Sequence, residues 1–240
     1  MKKFLLALLF VPLIAFGSEE SVHLDKAPIN LEDYASLQRG ARIFTNYCLS
    51  CHSAAAMRYS RLQDIGLTKD QIKNNLMFAS DNVGDTMTVS MNPANAQAWF
   101  GVAPPDLSVE ARARTPDWLY TYLRSFYLDD TRPTGWNNTV FEKVGMPNVL
   151  YALQGEQVLK ERAAGAHDEH AAPVFELAKP GKLSPAEYNA MVGDLVNYLT
   201  WMAEPIKTTR QELGIVVLLF LGVFFVLTYY LKKEFWKDIH

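Results

Sequence analysis

Apolar residues recur at helical spacing in several stretches of the chain. Ahead of the first cysteine they stand at Tyr34, Leu37, Ala41 and Phe44, three or four positions apart. This spacing predicts one face of an amphipathic helix, and Asn30 is a candidate N-cap for it. The pattern therefore predicts a helix that leads directly into residues 48–52.

Three later helices are marked by their first residues. Thr68 to Gln71 reads as a capping box that opens a short helix to about Met77. Thr115 followed by Pro116 predicts a helix with an apolar face, made by Leu119, Tyr122, Leu123 and Phe126. Ser184 to Glu187 forms a second capping box, and apolar residues then repeat at helical spacing up to Pro205. The chain shows no convincing strand pattern, so its predicted fold class is mostly α. Residues 78–98 are expected to form a loop, and 155–182 an exposed excursion.

The longest apolar stretch is Leu213–Leu231, which carries no charged residue in 19 positions. A helix of that length covers about 28 Å, close to the hydrocarbon core of a bilayer. Lys232, Lys233 and Lys237 follow it, which favours a cytoplasmic carboxyl end. The pattern predicts one C-terminal transmembrane helix rather than a buried core helix.

The amino terminus has the pattern of a secretory signal. Lys2 and Lys3 precede an apolar run over 4–16, and small residues end it at Gly17. The alternative is an uncleaved anchor, although the run is short for a span. We predict a signal peptide over 1–17, a periplasmic domain over 18–206, and a linker, anchor (213–231) and short cytoplasmic tail over 207–240. The predicted location is the bacterial cytoplasmic membrane.

Composition narrows the class of partner. The chain has 240 residues with a net charge of −3, and 18–206 holds an excess of Asp and Glu. That length allows one fair-sized domain plus additional segments. An acidic domain argues against nucleic-acid binding. It is compatible with steering of a basic protein partner and equally with simple solubility.

The chemistry centres on residues 48–52, Cys-Leu-Ser-Cys-His. Two cysteines three apart with histidine next is the pattern of c-type haem attachment. The two thiols suit the two vinyl groups of one porphyrin, and His52 suits the iron. A disulfide, a zinc half-site or a redox dithiol are the alternatives. A zinc site would need further ligands at ordinary spacing, and Cys48 and Cys51 are the only cysteines of the chain.

The second axial position of the iron has three possible outcomes: a methionine, another histidine or no ligand. The first two favour electron transfer, and the third favours ligand chemistry. Met146 is the leading methionine, because Gly145 permits close approach and Pro147 stiffens the loop. Haem propionates need cationic or donor partners, for which Arg112 is the candidate by position.

Taken together, these motifs resemble the cytochrome c1 family over most of the chain after residue 17. The segments that carry the resemblance flank the haem motif on both sides. They are Arg39-Gly40, Tyr47, residues 48–53, Tyr59, Leu62, Pro104-Pro105-Asp106-Leu107-Ser108, Arg112-Ala113-Arg114, Gly145-Met146-Pro147, Trp201-Met202-Ala203-Glu204-Pro205 and the single carboxyl-terminal span. The proline segment and the run from Trp201 are more specific than the haem motif, which all c-type cytochromes share.

The resemblance implies a cytochrome c fold with one covalently bound haem c, in which the first and last helices of the domain cross. It implies His52 and Met146 as axial ligands, Arg112 at a propionate, and Pro104 and Pro105 against the haem. Pro147 is followed by Asn148 here, whereas many family members continue differently. The shape of the ligand loop therefore does not carry over in detail.

The implied function is electron transfer within the cytochrome bc1 complex. An electron would arrive from a Rieske iron–sulfur protein and leave to a soluble cytochrome c, with cytochrome b as membrane partner. The subunit itself would be no enzyme. The alternatives are a membrane-anchored cytochrome that serves another oxidase or reductase, and a haem enzyme or sensor with an open iron site.

Overall fold

A computed structural model describes residues 22–89, 91–160 and 173–238 of the chain. The predicted signal peptide lies outside these residues. Helices dominate the described part, which confirms the predicted fold class. The α-helices are α1 (Tyr34–Ile43), α2 (Lys69–Asn75), α3 (Pro93–Phe100), α4 (Glu110–Ala113), α5 (Pro116–Arg124), α6 (Tyr151–Gln154), α7 (Pro185–Ala203) and α8 (Lys207–Phe235), with a π-helical turn at Phe44–Cys48 and a 3₁₀ helix at Tyr59–Ile65.

The crossing of α1 with α7 forms the centre of the core. A Cβ on Gly40 would overlap the Asp194 carbonyl oxygen and lie 2.6 Å from Tyr198 Cβ, so only glycine allows this approach. Arg39 Nε donates to Asp194 Oδ2 at 2.6 Å beside the contact. The crossing of the first and last helices of the domain, which the resemblance implies, is therefore present. The close contact at Gly40 offsets the roughly 1 kcal/mol that glycine costs inside a helix.

Helix starts follow the predicted caps with one exception. Thr68 and Ser184 form complete capping boxes, and the Thr115 hydroxyl accepts from Trp118 N. The cap of α1 is Asp33, whose carboxylate accepts from Ser36 N at 3.0 Å, and not Asn30 as expected. Asn30 instead pairs with Asn197 of α7 through its backbone N–H and C=O, which ties the amino-terminal segment to the core.

Six short strands form three antiparallel pairs that the sequence did not predict. The pairs are β1 (Ala54–Arg58) with β2 (Thr86–Met87), β3 (Phe126–Leu128) with β4 (Trp136–Asn138), and β5 (Gly155–Leu159) with β6 (Phe175–Pro180). The strands have two to six residues, too few to show a clear alternation. The expected loop over 78–98 thus contains β2 and most of α3, and the expected excursion contains the β5–β6 hairpin. Gln157 of that hairpin donates to the Phe126 carbonyl at 2.6 Å, so β5 lies beside β3.

Helix α8 extends away from the core, with its apolar side chains exposed. Among the described residues it is the one helix long and apolar enough to cross a membrane. It begins at Lys207, six positions before the predicted span, because the segment expected as a linker is already helical. Arg210 Nη2 lies 2.6 Å from Glu204 Oε1 across the joint with α7.

Candidate haem site

The two cysteines lie where α1 unwinds. The π-helical turn ends at Cys48, whose carbonyl oxygen then accepts from the N–H groups of Cys51 (3.0 Å) and His52 (2.8 Å). Both thiols are free in the structure. Burial raises the pKa of the Cys48 thiol to about 12. An uncharged sulfur is therefore favoured here, which suits a thioether link better than a thiolate ligand.

The ring of His52 is oriented by a backbone carbonyl. Its Nδ1 lies 2.8 Å from the oxygen of Pro105. A carbonyl oxygen only accepts, so Nδ1 carries the proton and Nε2 keeps its lone pair free for a metal. Burial lowers the pKa of His52, which also favours the neutral ring. This is the arrangement that an iron ligand requires.

Hydrogen bonds hold the proline segment against the chain that follows the haem motif. Leu107 N donates to Ser53 O at 2.8 Å, and Ala55 N donates to Asp106 Oδ2 at 2.8 Å. The position of the Pro105 carbonyl is therefore set by residues immediately after His52. This explains why a Pro-Pro-Asp segment some 50 positions away belongs to the same site.

Met146 lies in a loop packed against the turn after α3. A Cβ on Gly145 would lie 2.9 Å from Val102 Cγ1 and 3.0 Å from Phe100 O, closer than side chains tolerate. The Sδ atom of Met146 accepts a hydrogen bond from the Tyr122 hydroxyl at 3.4 Å. Glycine at 145 thus allows the loop to approach, and the tyrosine marks where the sulfur lies.

These residues line one cavity of about 380 Å³, a size typical of small-molecule sites. Its walls are mostly apolar. Six of the seven residues predicted for the site belong to the lining, namely Cys48, Cys51, His52, Pro104, Pro105 and Met146. Two thiols, an imidazole with a free nitrogen and a thioether in one apolar cavity fit a covalently bound haem c.

The seventh predicted residue, Arg112, does not line the cavity, whereas Arg114 does. Arg112 is exposed on α4. The guanidinium of Arg114 lies 5.0 Å from the ring centroid of Trp118. Arg114 is exposed as well, and its Nε lies 3.4 Å from Oε1 of Glu110, which also lines the cavity. Arg112 as a propionate partner remains a prediction, and Arg114 is the arginine that the geometry favours.

Trp118 and Tyr122 also line the cavity, although the sequence placed Tyr122 only on an apolar helix face and did not single out Trp118. Their rings stack with centroids 4.8 Å apart and planes 12° from parallel. The hydroxyl of Tyr122 could have identified it as a candidate site residue from sequence, because a tyrosine on a buried helix face needs a hydrogen-bond partner.

Comparison with known proteins identifies the family. Residues 25–239 match the model of the Cytochrome C1 family. The chain is 50% identical over its full length to 99% of the "Ammonia monooxygenase gamma subunit" of Nitrosomonas europaea. It is 49% identical over its full length to the whole "Cytochrome c1" of Allochromatium vinosum. For the "Cytochrome c1" of Rhodospirillum rubrum, identity is 30% over 86% of this chain and 83% of the relative.

These matches confirm the resemblance predicted from the motifs, and with it one covalently attached haem c as cofactor. They agree with a single-pass membrane protein, since α8 is the one candidate span of the described residues. The chain therefore belongs to the cytochrome c1 family and is the electron-transferring haem c subunit of a cytochrome bc1 complex.

Proposed function

We propose that this chain accepts single electrons from a Rieske iron–sulfur protein and passes them to a soluble cytochrome c. We assign the haem to Cys48 and Cys51 as covalent attachment points, and to His52 and Met146 as axial ligands. One observation carries the assignment: both thiols, the imidazole and the thioether line the same cavity. When bound, a haem with this ligand pair exchanges one electron and keeps both ligands.

The side chains around the cavity suit such a relay. The Pro105 carbonyl fixes the orientation of the imidazole, so little rearrangement accompanies electron transfer. The thioether of Met146 favours the reduced state and raises the potential. Apolar walls exclude water, and Arg114 places a cation at the lining. The subunit on its own makes and breaks no bonds of a substrate.

The membrane arrangement follows from the two ends of the chain. In our proposal 1–17 directs export, the domain that carries the haem lies in the periplasm, and α8 crosses the cytoplasmic membrane. Lys232 and Lys233 in the last turn of α8, and Lys237 just after it, then remain in the cytoplasm. Cytochrome b is the proposed partner of the exposed apolar surface of α8 within the bilayer.

The name of the Nitrosomonas relative favours a second candidate function, in which the same electron relay serves a monooxygenase. Purification of the full-length chain from membranes in mild detergent separates the two. We expect cytochrome b and a Rieske protein to accompany it in constant ratio. Monooxygenase subunits in their place would support the second candidate and contradict the first.

The ligand assignment is tested by Met146→Leu. This change keeps the apolar volume but removes the sulfur. The ferric protein should lose its weak far-red sulfur-to-iron band, its midpoint potential should fall, and the ferrous protein should bind carbon monoxide rapidly. Absorption spectra and a redox titration of the holoprotein measure these effects.

The matched control is Met202→Leu. Met202 is buried on α7 and is not part of the cavity lining. This variant should keep the far-red band. An unchanged spectrum in Met146→Leu would show that another group is the second ligand.

A further inference from the structure

A hydroxyl group lies beside the proposed sulfur ligand and is not required by the function described so far. Tyr122 of α5 is 9% exposed, and its O–H donates to Met146 Sδ at 3.4 Å. The other side chains on this face, Leu119 and Leu123, are purely apolar. In the described part of the chain, the Met146 sulfur is the hydrogen-bond partner that the structure gives this hydroxyl.

The ring of Tyr122 is held so that its hydroxyl cannot easily turn elsewhere. Trp118 stacks on one face at 4.8 Å, and Phe126 packs edge-on at 5.0 Å with an interplanar angle of 69°. The side-chain amide of the buried Asn138 donates to the backbone carbonyl of Tyr122 at 2.8 Å. Both the ring and the backbone of this residue are therefore fixed by neighbours, and the O–H is preorganised toward the sulfur.

Burial of a hydroxyl on a weak acceptor has a free-energy cost. A poorly paired buried polar group destabilises the fold relative to a well-paired one, and a thioether is only a weak acceptor. Phenylalanine would fill the same space without this cost. The energetics thus point to a function for the hydroxyl itself.

We propose that Tyr122 is a positioning residue that sets the reduction potential through the Met146 thioether. The inference rests on the proposed assignment of Met146 as iron ligand. The positive end of the O–H dipole points at the sulfur and draws electron density from it. The oxidised site carries one more positive charge than the reduced site. The positive end of the dipole therefore destabilises the oxidised state relative to the reduced state, which raises the reduction potential. The same hydrogen bond holds the sulfur in place.

The experiment compares Tyr122→Phe with Tyr188→Phe in the full-length holoprotein. Tyr188 is a matched control, because it is 3% exposed and its hydroxyl donates to the Leu123 carbonyl at 2.8 Å, away from Met146. Loss of the Tyr122 hydroxyl should shift the one-electron equilibrium by about threefold to tenfold toward oxidation, equivalent to roughly 30–60 mV. Tyr188→Phe should leave the potential unchanged. Equal potentials in both variants and the parent protein would overturn the proposal.

Two further variants separate the possible failures. If Met146→Leu keeps the far-red band, the ligand assignment itself is wrong. If Met146→Leu loses the band but Tyr122→Phe does not shift the potential, the ligand is right and the role of Tyr122 is wrong. Replacement of Tyr122 by 3-fluorotyrosine keeps the ring and makes the hydroxyl a stronger donor, so the potential should rise. A fall or no change with this substitution would also refute the proposal, even if Tyr122→Phe fails to incorporate haem.

Discussion

Two groups of residues line the same cavity, but the chain builds them differently. The His52 group consists of Cys48, Cys51, His52 and Pro105. Three of its members lie within five consecutive residues that begin at the end of the π-helical turn. Its fourth, Pro105, is followed by Asp106 and Leu107, which form hydrogen bonds with Ala55 and Ser53 directly after the haem motif. Its geometry depends on local sequence and on a helix anchored in the core.

The Met146 group consists of Tyr122, Gly145 and Met146. Its members come from α5 and from a loop more than twenty positions later, and Gly145 packs against the turn around Val102. No single stretch of chain defines this group, so its geometry depends on tertiary contacts. The difference teaches that one proposed haem ligand can be placed by local structure and the other by the completed fold. We expect the Met146 group to be easier to displace without unfolding.

The largest effect should follow from Gly40→Ala, which disturbs the contact between α1 and α7 that supports the His52 group. The new methyl group would overlap the Asp194 carbonyl and crowd Tyr198, so α1 and α7 must separate. We expect a loss of about 3 kcal/mol in the free energy of unfolding, at the upper end for overpacked cores. For a domain of this size the Tm falls by about 6–12 °C, which thermal unfolding of the holoprotein measures.

Gly84→Ala is the matched control for this change, because a Cβ there meets Asn82 only at an ordinary 3.4 Å. It should leave the Tm nearly unchanged. An unaltered Tm in Gly40→Ala would mean that the helix crossing does not determine the stability of the His52 group.

A smaller effect, confined to the Met146 group, should follow from Gly145→Ala. The added methyl group meets Val102 Cγ1 and the Phe100 carbonyl, so the loop must move by a few tenths of an ångström. We expect a cost of about 1–2 kcal/mol, which lowers the Tm by about 2–8 °C, less than in Gly40→Ala. We also expect a weaker far-red band and faster carbon monoxide binding. Addition of Val102→Ala removes one of the two close contacts and should restore part of the band. A fall in the Tm as large as that of Gly40→Ala would contradict the proposed difference between the groups.

The smallest effect should distinguish two arginines near the cavity. Arg114→Gln removes a cation from the lining and should lower the midpoint potential, because a nearby positive charge disfavours the oxidised state. The shift should stay below about 1 kcal/mol, since solvent screens an exposed guanidinium. Arg112→Gln removes the same charge from an exposed position outside the lining and should change the potential less. A larger shift of the potential for Arg112→Gln than for Arg114→Gln would support Arg112 as the propionate partner, as the sequence predicted.

Much of the fold was predictable because its signals are local. Capping boxes at Thr68 and Ser184, the threonine and proline that open α5, and the uncharged span within α8 each need only a few neighbouring residues. The cysteine and histidine pattern of the His52 group is equally local. These parts of the chain could therefore be assigned from sequence alone.

The remaining features depend on the completed fold. The strands are short and pair within it, so their residues show no period of their own. The start of α3 was detectable in principle, since Asn92 caps it and Pro93 follows, but no apolar period supports that signal. The choice between Arg112 and Arg114 depends on which of these two exposed arginines borders the cavity, and only the fold determines that. The hydrogen bond from Tyr122 to Met146 needs the tertiary fold to bring its partners together.

The short connection between α7 and α8 limits how far the haem domain can move from the proposed membrane anchor. Only residues 204–206 separate the last core helix from the proposed anchor. Fully extended, three residues reach about 10 Å, and the ion pair between Arg210 and Glu204 shortens that reach further. A domain on so short a tether stays at nearly constant height above the bilayer. Transport of electrons over long distances must then come from movement of the donor and acceptor proteins, because this haem stays at a fixed position.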